Sequence, residues 1–215
     1  MKRKTIIVQI SRGVSPAVAI AATVAKAAAL GADYHLITGK TAPEAKQEAA
    51  RIAYDSGRHL ILCEDDFIAE DETWERMMTD KGVVLATTAL MRNGQLNALY
   101  HGPRLVLSGT VMLGVPFEVL DKMGAPWFEA RNLEFDTEGE GCWVDHGLNA
   151  DGMHSDTYFF YQCWELGIAP VVCGFVTHLI HSFNNAWAPL NNPHDIKPLG
   201  MMGCSKLSNK KQEKK

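Results

Sequence analysis

No two cysteines of the 215-residue chain stand in a C-x-x-C arrangement, and the five present (Cys63, Cys142, Cys163, Cys173 and Cys204) are an odd number. That excludes a paired disulfide framework and a cysteine zinc site, and it points to a reducing, cytosolic compartment. Long apolar runs are missing too. Ile6-Ile7-Val8 is cut by Gln9 and then by Ser11-Arg12-Gly13, and the stretch from Ala17 to Leu30 is mostly alanine and carries Lys26. Neither run suits a signal peptide or a membrane span, so a soluble domain is expected. There is no internal repeat, and no glycine-rich phosphate loop follows the first apolar run, where Gly13 stands alone. A formal net charge of -4 gives no electrostatic case for a general nucleic-acid binder.

The charge that is present is unevenly spread. Both ends are basic, from Met1 to Lys4 and from Lys206 to Lys215, while Glu129, Glu134, Asp136, Glu138, Glu140, Asp145, Asp151 and Asp156 crowd one stretch. The length suits one α/β domain over residues 1–204, with a basic, disordered tail at 205–215. Within that domain the reading places a nucleotide-binding half at about 1–90, an acceptor half at about 91–185 and a wrapping segment at 186–204.

Strand and helix patterns alternate through the first half. Residues 5–10 form a β-branched run, and Ser15-Pro16 is a helix start with a natural stop at Gly31. A second strand is expected at 34–38. Thr41-Ala42-Pro43-Glu44 is a capping box for a helix over about 43–56. A third strand at 59–63 runs into Glu64-Asp65-Asp66; a helix at 71–79 and a strand at 83–88 follow. The second half predicts a strand over 105–115, a helix over 116–123, loops over 125–153, a helix from Ser155 to about 166 and a strand over 170–179. Such alternation predicts a mostly parallel central sheet with helices on both faces, with a ligand site at the carboxyl ends of its strands.

Three features there carry chemistry. Glu64-Asp65-Asp66 puts three carboxylates directly after a buried strand, where their repulsion calls for a cation; hard oxygen donors suit Mn²⁺ or Mg²⁺. A solvated acidic turn is the plainer alternative. Asp156 opens an apolar helix, as a general base or as a helix-start acid favoured by the dipole. His178-Leu-Ile-His181 follows the last strand as a metal-ligand or structural histidine pair, and a site built from His146, His154 and Asp156 is a rival.

In this order the features resemble the GT-A glycosyltransferases of the family-2-like, D-x-D type. Ala-Ala-Arg-Ile-Ala-Tyr-Asp-Ser-Gly-Arg-His-Leu-Ile-Leu-Cys-Glu-Asp-Asp at 49–66 is similar to their arginine-bearing helix, apolar strand and D-x-D motif. Residues 108–128, ending in Gly-Ala-Pro-Trp-Phe, resemble the acceptor-side strand, helix and turn. Ser155-Asp156-Thr-Tyr-Phe-Phe resembles the helix carrying the base, and residues 171–179 resemble the strand leading to the metal-binding histidine.

The resemblance implies a GT-A fold and transfer of a sugar, with inversion, from a nucleoside-diphosphate donor to an acceptor hydroxyl. It implies Mn²⁺ or Mg²⁺ on Asp66, His178 and Glu64, with glutamate in the usual aspartate position so that either Asp65 or Glu64 takes that role. Asp156 matches the catalytic base. Ser11, Arg12, Arg51, Glu64 and Asp65 would line the donor, and Trp127 and Phe128 would wall the acceptor side or serve as core aromatics. The acceptor stays open between a saccharide and a modified DNA base. The alternatives are a metal-dependent nucleotidyltransferase and a non-catalytic nucleotide-sugar-binding protein.

Overall fold

A computed structural model describes residues 4–11, 17–79, 82–89, 97–109, 111–148, 155–181 and 187–189. The expected helix start at Ser15-Pro16, the wrapping segment apart from Trp187–Pro189, and the basic tail lie outside the described residues.

β1 (Thr5–Ser11), β2 (Asp33–Thr38) and β3 (His59–Glu64) pair in parallel, with β1 in the middle. The helices between them are α1 (Ala17–Leu30) and α2 (Ala42–Asp55). Thr41 makes the anticipated capping box with Glu44, which fixes where α2 begins. β4 (Phe67–Ala69), α3 (Asp71–Thr79) and β5 (Leu85–Ala89) come next. From β5 the chain runs through a hairpin, β6 (Ala98–His101) and β7 (Arg104–Ser108), into β8 (Met112–Val115). After α4 (Phe117–Met123) a second hairpin, β9 (Arg131–Asp136) and β10 (Cys142–Leu148), leads to α5 (Ser155–Glu165), β11 (Val171–His181) and β12 (Trp187–Pro189).

The main sheet has the order β12-β11-β5-β8-β3-β1-β2, with β4 paired to β11. The expectation of a mostly parallel GT-A sheet with helices on both faces is corrected here: the sheet is mixed. β1–β2, β1–β3 and β5–β11 are parallel, whereas β3–β8, β5–β8, β4–β11 and β11–β12 are antiparallel, as are both hairpins. The cause lies between Ala89 and Met112. The described residues there include no helix, and a parallel return needs a crossover of a dozen or more residues, usually helical; β8 instead comes back antiparallel between β3 and β5.

The run expected as one strand over 105–115 is two strands for a local reason. Ser108 Oγ donates to the Thr87 carbonyl at 2.8 Å and the Asn97 carbonyl at 3.2 Å, and Gly109 N donates to the Asn97 carbonyl at 3.0 Å. A Cβ on Gly109 would sit 1.7 Å from Asn97 Nδ2, so a larger residue there would have to displace the Asn97 side chain.

Side chains alternate across the sheet as period-two strands require. Ile6, Val8, Ile10, Leu60 and Leu62 pack with Ala45, Ala49, Ala50 and Ala53 of α2, and with Phe159 and Phe160 of α5. Ile7, Ile61 and Cys63 pack on the other side with Ala27, Trp74 and Met77. Cys63 and Cys163 are buried free thiols, pushed up in pKa by that burial. Among the described residues no helix is long and apolar enough to cross a membrane.

Candidate functional site

The alternation that sends Leu60 and Leu62 toward α2 sends Glu64 there too. Its backbone is held on both sides: Glu64 N donates to the Val111 carbonyl at 2.9 Å, and Gln9 Nε2 reaches the Glu64 carbonyl at 3.4 Å. Helix α2 leaves the carboxyl end of β2 and runs back toward the start of β3, so its first turns lie at the strand ends. Lys46 stands on its buried stripe with Ala49, Ala50 and Ala53 and is only 3% exposed.

The Lys46 ammonium touches two carboxylates. Nζ lies 3.2 Å from Glu64 Oε1 and donates to Asp156 Oδ1, from a residue 110 positions away. Burial alone would lower the lysine pKa, but the charges and hydrogen bonds of Asp156 and Glu64 outweigh it and raise it. Lys46 is therefore a fixed cation beneath the acidic strand end. The sequence carried a signal for it, since a lysine on an otherwise alanine-lined helix stripe needs an acid inside.

The other two acids of the triplet diverge from Glu64. Asp65 is buried at 5% exposure, and its charge reaches the Tyr34 phenol. Asp66 opens toward β11: its carbonyl accepts a 2.7 Å bond from Leu179 N, and His178 pairs with Phe67 in the β4–β11 ladder. The backbone thus brings position 178 beside the acidic turn, although the His178 and His181 side chains lie outside what is described. Ser11 ends β1 and is buried beside Thr38, whereas Arg12 is outside the described residues.

Not every expected residue joins this cluster. Arg51 is exposed on α2, five positions on from Lys46 and so roughly 140° round the helix. Trp127 and Phe128 are each 3% exposed within the core. Trp127 Nε1 donates to the Leu120 carbonyl at 2.8 Å, and both backbone N–H groups donate to Gln47 Oε1 at 2.9 Å. His146 is half-exposed on β10 beside Glu134, and His154 lies outside the described residues. Among the described residues, no three His, Cys, Asp or Glu side chains are grouped to hold a metal.

No family model and no curated protein sequence matches the chain. A solved structure, the crystal structure of A197 from STIV, superposes with a TM-score of 0.55 at 13% identity, covering 88% of this chain and 95% of that one. At that identity the likeness is one of fold.

A second buried polar chain lies on the opposite side of β3 from Lys46. The Tyr34 hydroxyl donates to Gln9 Oε1 at 2.8 Å, and Gln9 is fully buried. Burial, then the neighbouring Cys63 and Asp65, pushes the Tyr34 phenol from the ordinary value of 10.0 up to about 12. In the unfolded chain the phenol ionises near pH 10, before the folded one does, so this contribution is intact below pH 10 and fades as pH rises through 12. Tyr34→Phe is expected to cost about 1–2 kcal/mol at pH 7 by leaving Gln9 without its donor. It should also flatten the alkaline loss, which urea unfolding at pH 7 and pH 10.5 measures.

Proposed function

We propose that the chain is a metal-dependent glycosyltransferase that moves a sugar from a nucleoside-diphosphate donor to an acceptor hydroxyl. The observation behind this reading is the shared contact of Glu64 and Asp156 with Lys46, which brings the acidic strand end and the candidate base into one site. A base for the acceptor hydroxyl has to work next to the place where the donor phosphates are held.

The donor chemistry fits a hard divalent cation. Asp65 and Asp66 are consecutive in the chain at the strand end, with position 178 paired alongside, while the Glu64 charge is already compensated by Lys46. Asp66, Asp65 and His178 are therefore the residues that would hold Mn²⁺ or Mg²⁺, ahead of Glu64. That ion would offset charge on the departing nucleoside diphosphate. Asp156 accepts the acceptor proton, and Ser11 at the end of β1 lies beside the donor.

Thermal-shift titration tests the donor site, using uridine, guanosine, cytidine and thymidine diphosphates and their sugars with Mn²⁺ and with EDTA. The expected result is a rise in Tm that needs Mn²⁺, favours one base and disappears in Asp66→Ala. At a ligand concentration a hundred times Kd the stabilisation is about 2.7 kcal/mol. No rise with any diphosphate would overturn the reading, and a rise with triphosphates alone would favour nucleotidyl transfer.

A further inference from the structure

The Lys46 side chain touches both Glu64 on β3 and Asp156 on α5. Its place is set by three elements far apart in sequence. The Glu64 backbone is tied to Val111 and Gln9, so the β3 end is a rigid anchor. The Asp156 side chain is one-quarter exposed, against 4% for that of Lys46. Lys46 thus holds Asp156 Oδ1 while part of the Asp156 side chain stays open to solvent, as a base that meets an incoming hydroxyl requires.

We infer that Lys46 is a positioning residue: it pins the first turn of α5 to the end of β3 and aims Asp156 at the acceptor. The role of Asp156 rests on the transferase reading, whereas the pinning does not. An ammonium on a flexible stem suits this task, because it satisfies two carboxylates from one atom with three donors. Glu64 serves as the anchor rather than as a reacting group.

The test uses the full chain with Lys46→Met and, because that change removes a cation from beside the buried Glu64, the double variant Lys46→Met/Glu64→Gln. Hydrogen exchange read by mass spectrometry needs no substrate. Amides over residues 159–162, whose acceptors are the carbonyls of the first turn of α5, are expected to exchange about tenfold faster in both variants, with those of β1 and β3 unchanged in the double variant. Unchanged exchange in α5 would overturn the proposal whether or not the protein is an enzyme.

With the donor found by thermal shift, kcat of Lys46→Met, in which Glu64 is kept, is expected to fall about a hundredfold while KM for the donor sugar stays close to wild type. A merely structural lysine would leave kcat unchanged in folded Lys46→Met, and that result would also overturn the positioning role. If the wild-type chain binds no nucleoside diphosphate, the transferase reading fails and the exchange measurement alone decides whether Lys46 pins α5.

Discussion

Asp156→Asn is expected to lower turnover by about 10²–10⁴-fold while sparing Mn²⁺-dependent binding of the nucleoside diphosphate. The change keeps the shape of the side chain and removes its basicity. The amide oxygen can still accept the Lys46 hydrogen bond, and Lys46 keeps Glu64 at 3.2 Å, so the start of α5 stays in place. Donor affinity depends on the strand-end acids, which the substitution does not touch. Steady-state kinetics with the preferred donor, beside calorimetric titration of the diphosphate, separates the two effects. Normal turnover in Asp156→Asn would mean that another group takes the proton. Weakened diphosphate binding with unchanged kcat would move Asp156 to the donor side.

Local signals in the sequence located most elements of the first half. The capping box fixed the start of α2, the amphipathic pattern over 71–79 gave α3, and the apolar run before Glu64 gave β3 to within one residue. Ser155 likewise opens α5 as its sequence implied. What escaped was set by tertiary contacts. The direction of β8 depends on how the chain returns from β5, which no periodicity records. The hairpin β9–β10 hides in a stretch dense in glycine and acid, where burial alternates only between half-buried and exposed. The site shows the same division. Glu64, Asp66 and Asp156 stood out as acids at element ends, but their partner Lys46 sits inside a helix. An apolar stripe there announces that a lysine must be paired, yet not with which acids.

Phe128→Ala is expected to cost about 3–5 kcal/mol of unfolding free energy. The ring is stacked on Phe159 with centroids 5.1 Å apart and an interplanar angle of 11°, inside the same cluster as the α2 alanines. Alanines at 45, 49, 50 and 53 let α2 lie close to the sheet, and small side chains cannot swing in to fill a missing ring. Collapse from the backbone side is also opposed, because Phe128 N and Trp127 N share Gln47 Oε1 at 2.9 Å each. The truncation therefore leaves most of its cavity open. Urea unfolding followed by circular dichroism reads the loss, and Tm should fall by about 2–4 °C for each kcal/mol in a chain of this size. An acceptor wall would behave in the opposite way, with stability nearly unchanged and KM for the acceptor raised. That second outcome would move Phe128 out of the core and into the binding surface, and with it the turn that leads from α4 toward β9.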